Sequence, residues 1–168
     1  MAGSGFRRMA LVSTLLFLMV GCDQATKVIA RDALDESGPL SYLSGTIRLQ
    51  LVENPGAFLS LGAGLSEPMR FWIFSVAVAV FLAASLWTVF RRNDLDRLTT
   101  IGITLMVAGG VGNLIDRLAR GTVTDFLNLG VGSLRTGIFN VADIAIVVGC
   151  CLMILSTFRE SRAREQKA

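Results

Sequence analysis

The sequence predicts an all-α integral membrane protein, with four transmembrane helices and a small extracytoplasmic segment that contains β-structure. Three observations predict it. Of 168 residues, 52% are hydrophobic and 17% charged, too apolar a balance for a water-soluble domain of this size. Four stretches, about 9–30, 69–90, 98–115 and 138–158, approach or reach the ~20 mostly apolar residues that a spanning helix needs. Lys and Arg gather beside alternate ends of these stretches, as topology signals do.

The first stretch follows Arg7 and Arg8, starts at Met9 and carries Asp23, Gln24 and Lys27 near its end, polar groups that hydrocarbon penalises. Arg7-Arg8, the apolar run and Val20-Gly21-Cys22 together imitate a lipoprotein signal peptide. The apolar pattern resumes at Ala25, Val28, Ile29 and Ala30, and Met19 fits the third position before such a cysteine poorly, so the stretch reads as a retained span. In the outer segment 31–68, Thr46 to Val52 alternates apolar and polar at period two, as a half-buried strand does. Glu53-Asn54-Pro55-Gly56 then reads as a turn, and the small, glycine-rich run Ala57 to Leu65 as a strand or loop along the membrane surface.

Phe71 to Phe90 and Leu98 to Ile115 contain no charged residue, and Arg91-Arg92-Asn93-Asp94 separates them. After the outer segment 118–137, the fourth stretch carries Asn140 and Asp143 near its start, which places Asp143 about 7 Å along that helix at 1.5 Å per residue. Arg159, Arg162, Arg164 and Lys167 follow it. The positive-inside rule then puts both termini and the 91–94 turn in the cytoplasm and the two longer segments outside. The chain is expected to form one domain over residues 1–168.

Histidine is absent, which removes His-based triads, Cys-His pairs and the HExxH zinc site. Cys22, Cys150 and Cys151 lie inside apolar runs without metal spacing or a disulfide framework. No metal and no cofactor is expected. The formal charge of +3 reads as a topology signal, and no basic patch interleaved with aromatics supports a nucleic-acid partner.

The remaining polar residues converge at one depth. Asp23 and Lys27 close the first span, Asn113, Asp116 and Arg117 the third, and Asn140 and Asp143 open the fourth. Asp23 and Lys27 stand four apart with the acid first, the favourable order for an ion pair that braces a helix end. Asn113 and Arg117 share a face, and Arg117 can neutralise a carboxylate or grip a carbonyl. Gly109, Gly110 and Gly112 leave the third helix narrow for close packing. Asp125 follows in Gly121-Thr122-Val123-Thr124-Asp125-Phe126, and Asp143 is its natural partner. Two carboxyls brought together share a proton, one acting as base towards water while the other polarises a carbonyl. Intramembrane acids also serve proton relays and ion binding, so the residues alone leave both open.

Five blocks, in order, identify a resemblance: Asp23-Gln24-Ala25-Thr26-Lys27, Asn54-Pro55-Gly56-Ala57, Gly112-Asn113-Leu114-Ile115-Asp116-Arg117, Val123-Thr124-Asp125-Phe126 and Phe139-Asn140-Val141-Ala142-Asp143. The chain resembles the lipoprotein signal peptidase, or signal peptidase II, family over nearly its whole length. The resemblance implies an aspartyl endopeptidase of the bacterial inner membrane that cuts diacylglyceryl-modified prolipoproteins before the lipidated Cys. It implies catalysis by Asp125 and Asp143, substrate contacts from Asn54, Gly56, Asn113, Arg117 and Asn140, and structural support from Asp23, Lys27 and Asp116. It also implies membrane lipids as surroundings, a monomer, and inhibition by globomycin-type cyclic peptides.

On this reading, small residues flank the cut because the substrate backbone passes between spans three and four, where the glycines leave room. The family commonly reads Asn-x-Gly-Ala-Ala-Phe-Ser after the outer strand. This chain reads Asn54-Pro55-Gly56-Ala57-Phe58-Leu59-Ser60, a departure that bears on specificity and inhibitor affinity. The alternatives are a non-enzymatic transporter or channel subunit and a catalytically silent family member. Against the first, no inverted repeat or broken-helix pair is visible.

Overall fold

The computed structural model describes residues 2–34, 38–57 and 61–166. Among them, four helical spans are long and apolar enough to cross a membrane: Gly5–Ala33, Glu67–Arg91, Arg97–Arg120 and Val141–Ala163. The first belongs to α1 (Ala2–Ala33). The second is composite, made of α2 (Glu67–Phe71), a π-helical segment (Trp72–Ala77) and α3 (Val78–Arg91). The others are α4 (Arg97–Arg120) and α5 (Val141–Glu165).

Helix α4 is central: 56% of its apolar stretch is buried, against 11%, 17% and 22% for the other three. Its glycines are the cause. A Cβ on Gly109 would collide with the Ala142 carbonyl, one on Gly102 would lie 2.8 Å from the Gly149 carbonyl oxygen, and one on Gly110 would meet Leu82 at 2.5 Å. Helices α4 and α5 therefore touch backbone to backbone. The expected passage of a substrate between spans three and four is thereby overturned, because the space the glycines leave is already filled, by α5 at Gly102 and Gly109, by Leu82 at Gly110 and by Asp23 at Gly112.

Val12, Leu82, Val89, Ile103 and Val107 form the core between α1, α3 and α4. Phe17, Trp72, Val80, Trp87, Ile154 and Phe158 point outward and exposed, as suits side chains whose surroundings are acyl chains. Local chemistry sets the helix ends. Asp96 caps α4 by accepting from the Leu98 and Thr99 N–H groups, and Gly121 closes it at φ +76°, a left-handed conformation that glycine adopts without strain. The π-helical segment has no signal in the sequence. It widens the turn, buries Ser75 and sets the Phe74 ring 5.7 Å from the Arg117 guanidinium.

Strands β1 (Leu40–Tyr42), β2 (Ile47–Asn54), β3 (Val123–Val131) and β4 (Leu134–Arg135) form an antiparallel sheet in the order β1-β2-β3-β4. Strand β2 contains most of the expected 46–52 strand and runs on through Asn54, so the turn starts two residues later than predicted. Strand β3 lies in the segment 118–137, where no alternation predicts one. It pairs with β2 so that Val52 stands opposite Asp125 and Asn54 opposite Val123, past an irregularity between Leu49 and Val52. Ala30, Leu34 and Phe126, with Leu49, Leu51, Leu127 and Val141, fasten the sheet to one end of the helices. The 92–96 turn and the start of α1 lie at the other end, where Arg8 and Arg97 line one cavity.

Several boundaries move. Helix α1 continues unbroken through Cys22 to Ala33, and α4 runs to Arg120, five residues beyond the predicted span. The fourth helix begins at Val141 and not at 138. Phe139 is extended, exchanging 2.8 Å backbone hydrogen bonds with Leu127. Asp143 is consequently the third residue of α5, about 3 Å along it, and not 7 Å. In the Ala57–Leu65 run, residues 61–65 form a turn in which the Leu65 N–H donates to the Gly62 carbonyl at 3.0 Å. Phe58, Leu59 and Ser60, and Lys167 of the terminal basic run, lie outside the described residues.

Candidate active site

Lys27 is fully buried, and its Nζ lies 2.8 Å from Asp23 Oδ2 and 3.0 Å from Asp116 Oδ2. Asp116 is also paired with Arg120 one turn on, so two carboxylates and two cations form a neutral cluster. Such burial is tolerable only with every lone pair occupied. Asp23 Oδ1 accepts the Ala142 N–H at 2.9 Å, and Asp116 Oδ2 accepts the Thr124 N–H at 3.2 Å. Gln24 Nε2 donates to Asp23 Oδ2 and to the Gly112 carbonyl. A Cβ on Gly112 would stand 2.5 Å from Asp23 Oδ2, so this glycine makes room for the carboxylate. The cluster ties α1, α4, β3 and α5 together at the sheet end. Gln24, Arg120 and Thr124 were not among the expected residues. The spacing of Arg120 four residues after Asp116 is the signal that finds it.

From Lys27 a chain of amides leads to the two aspartates. Lys27 Nζ can only donate, and it donates to Asn113 Oδ1 at 2.9 Å, which leaves Asn113 Nδ2 to donate to Asp143 Oδ1 at 2.9 Å. Asn140 Nδ2 donates to the same Asn113 oxygen at 3.1 Å and to Asp125 Oδ1 at 2.6 Å. Its own Oδ1 accepts the Asp143 N–H at 3.0 Å, while its main-chain N–H donates to Asp143 Oδ2 at 3.1 Å. This reciprocal pair caps α5. Asn54 completes the set: its Oδ1 accepts the Gly56 N–H at 3.0 Å, and its Nδ2 donates to Asp125 Oδ2 at 3.0 Å. Each oxygen of both aspartates therefore accepts one amide N–H.

Asp125 and Asp143 line one cavity of about 30 Å³ with Asn54, Asn113, Arg117 and Ile138, room for water and not for a peptide. Burial, above all, and the nearby charge of Asp143 push the Asp125 carboxyl up to about 6, against the pull of the Asn54 and Asn140 hydrogen bonds. An apolar groove of about 270 Å³ adjoins, lined by Ile138, Phe139, Ile144, Val147 and Val148, and it shares Asp143 with the cavity. Two carboxyls beside water and one apolar approach can carry out acid–base hydrolysis of a bond presented along α5.

The other expected residues are placed as follows. Arg117 Nη2 donates to the Gly56 carbonyl at 2.8 Å, so it grips a carbonyl of its own chain rather than a carboxylate, and its buried Nε has no partner. Gly56 is held from both sides, by Arg117 and by Asn54. The amides of Asn113 and Asn140 are engaged with Lys27, with each other and with the aspartates. Among the described residues, no three His, Cys, Asp or Glu side chains converge as a metal site would.

A family model described as signal peptidase (SPase) II matches residues 15–159. The lipoprotein signal peptidase of Desulforapulum autotrophicum is 34% identical over 147 residues, covering 88% of this chain and 89% of that protein. Those of Hydrogenovibrio crunogenus and Escherichia coli are 33% and 32% identical, covering 92% and 97% of this chain and 88% and 96% of their own lengths. A solved structure described as a bacterial membrane enzyme, determined at 2.3 Å by the in meso method, superposes with a TM-score of 0.79 at 24% identity, covering 90% of each chain. A second, at 1.9 Å, gives 0.74 at 24% identity over 88% of this chain and 92% of that one.

Proposed function

The chain belongs to the signal peptidase II family, and from that membership we propose that it is an aspartyl endopeptidase that removes signal peptides from diacylglyceryl-modified prolipoproteins, cutting before the lipidated Cys. The observation that carries the aspartyl assignment is the shared cavity of Asp125 and Asp143, with an amide donor on every carboxylate oxygen. A transporter reading fits less well, because among the described residues the buried carboxylates and amides gather at one end of the helices.

Asp143 carries the negative charge of the pair, at the positive end of α5. It takes a proton from water, whose oxygen attacks the scissile carbonyl carbon, while Asp125 gives its proton to the carbonyl oxygen. The tetrahedral diol collapses as Asp143 passes its proton to the leaving amine of the Cys and the diol returns one to Asp125. The C–N bond breaks, and a carboxylic acid and a free amine leave. Asn113 and Asn140 hold the carboxylates in place. Asn54, Gly56 and Arg117 form the edge that meets the peptide backbone. Asp23, Lys27 and Asp116 brace the helices that carry these groups.

The substrate reaches the dyad along the apolar groove on α5, its acyl chains remaining among lipid tails. The basic ends support a reading with both termini in the cytoplasm of a bacterial inner membrane and the dyad at the outer interface, in one monomeric unit spanning residues 1–168. A cyclic peptide of the globomycin type would occupy the same groove. The test is cleavage of a diacylglyceryl-modified prolipoprotein by the purified chain in detergent, beside Asp125→Asn, Asp143→Asn and an unlipidated control. Both variants and the control are expected to give no product. Activity surviving either substitution removes the aspartyl mechanism.

A further inference from the structure

At the end of the molecule opposite the dyad, α1 and α4 enclose a cavity of about 840 Å³ lined by Arg7, Arg8, Asn93, Arg97 and Thr100, with Leu11 and Leu95 beneath. Three arginines line it, and among the described residues no carboxylate does. Of the acids of the adjoining turn, Asp94 pairs with Arg92 at 2.6 Å and lies near enough to Arg8 to feel its charge without a hydrogen bond to it, and Asp96 caps the first turn of α4. Arg8 Nε and Nη2 are buried and have no hydrogen-bond partner. Two unsatisfied donors on a permanent cation are costly, and an acceptor carrying negative charge would satisfy both. Guanidinium donors suit phosphate oxygens in number and geometry. Beside this polar interior, Phe6 and Met9 on α1 are 70% and 53% exposed, an apolar exterior flanking the arginines. A ligand with a phosphate at one end and acyl chains at the other matches both features.

We propose that this cavity binds the phosphate of an anionic glycerophospholipid from the leaflet on the side of the termini, with Arg8 and Arg97 as principal donors. The site is independent of the dyad, so the two assignments stand or fall separately.

The test uses the purified full chain in detergent, titrated in native mass spectrometry with phosphatidylglycerol, with phosphatidylcholine and with inorganic phosphate. One phosphatidylglycerol is expected to bind at least about tenfold more tightly than phosphatidylcholine. Arg8→Gln and Arg97→Gln are each expected to remove most of that preference. Arg91→Gln, whose guanidinium stacks on Trp87 outside the cavity, is expected to retain it. Prolipoprotein cleavage by the Arg8 and Arg97 variants in phosphatidylcholine micelles should equal that of the parent, which also shows that they fold. Equal affinity for the two lipids, or a preference that survives in both variants, overturns the proposal. Tight binding of inorganic phosphate without lipid preference overturns it too, and assigns the cavity to a soluble anion.

Discussion

Replacing Lys27 by methionine keeps an unbranched side chain, one heavy atom shorter, and removes its charge, leaving Asp23 and Asp116, 1% and 0% exposed, with Arg120 as their one paired cation among the described residues. The cluster passes from neutral to one net negative charge, with both carboxylates buried where screening is weak. Breaking a buried pair by removing one partner costs about 3–5 kcal/mol. The lower end applies here, because Asp23 keeps the Ala142 N–H and Asp116 keeps Arg120 and the Thr124 N–H. Adding Asp23→Asn restores neutrality, and an Asn oxygen can still accept the Ala142 N–H. The double variant is therefore expected to lose no more than about half of what the single one loses. Its cleavage rate should nevertheless stay down, since Asn113 Oδ1 has lost one of the two donors that orient its amide towards Asp143 and keeps only Asn140 Nδ2. Equilibrium unfolding in mixed micelles, followed through Trp72 and Trp87, measures the first quantity, and single-turnover cleavage the second. A loss below about 1 kcal/mol for Lys27→Met, or a double variant less stable than the single, would refute the account of this cluster.

The Asp125 carboxyl, raised to about 6, must hold a proton to act as the acid, so kcat/KM is expected to fall as pH rises through about 6. Asn54→Ala removes a donor that favours the carboxylate, and the alkaline limb of the rate profile should move to higher pH. The folded chain holds that proton more tightly than the unfolded one, whose carboxyl titrates near 3.8. Stability from this group is thus complete below 3.8 and is lost as pH rises towards about 6, a slope that Asp125→Asn should abolish in unfolding measured across that range. Gly109→Ala drives a Cβ into the Ala142 carbonyl and should cost about 1–3 kcal/mol in the same unfolding assay, whereas Gly21→Ala, with nothing within 4 Å, should be neutral or slightly stabilising.

The spans were legible because lipid requires long apolar runs, and the charge-free stretches 71–90 and 98–115 admit no other reading. Strand β2 announced itself by alternation. Strand β3 did not: Val123-Thr124-Asp125-Phe126 is buried residue after residue, since one face meets the helices and the other the polar cluster, and burial on both faces erases period two. The π-helical turn depends on how Phe74 and Ser75 pack against α4, which no local propensity encodes. Spacing along a helix revealed the Asp23–Lys27 pair and could have revealed Arg120. It could not reveal that Asn140 bridges Asp125 and Asp143, because that contact needs a strand and a helix start distant in sequence. The glycines of α4 were read correctly as packing residues, but the free space inferred from them was absent, since a missing side chain in one helix is filled by the backbone of the next.

The two aspartates sit on elements that reach their places separately, Asp125 on a strand held by β2 and Asp143 on α5. Membrane proteins are made from the amino end, so the second carboxylate enters the bilayer only with α5. Until then β3 lacks the Phe139 partner that fixes its edge, and Asp125 lacks Asn140. A nascent or truncated chain that stops before α5 thus carries half of the proposed dyad, and synthesis itself delays the appearance of a peptide-cutting centre in the membrane until α5 has followed β3.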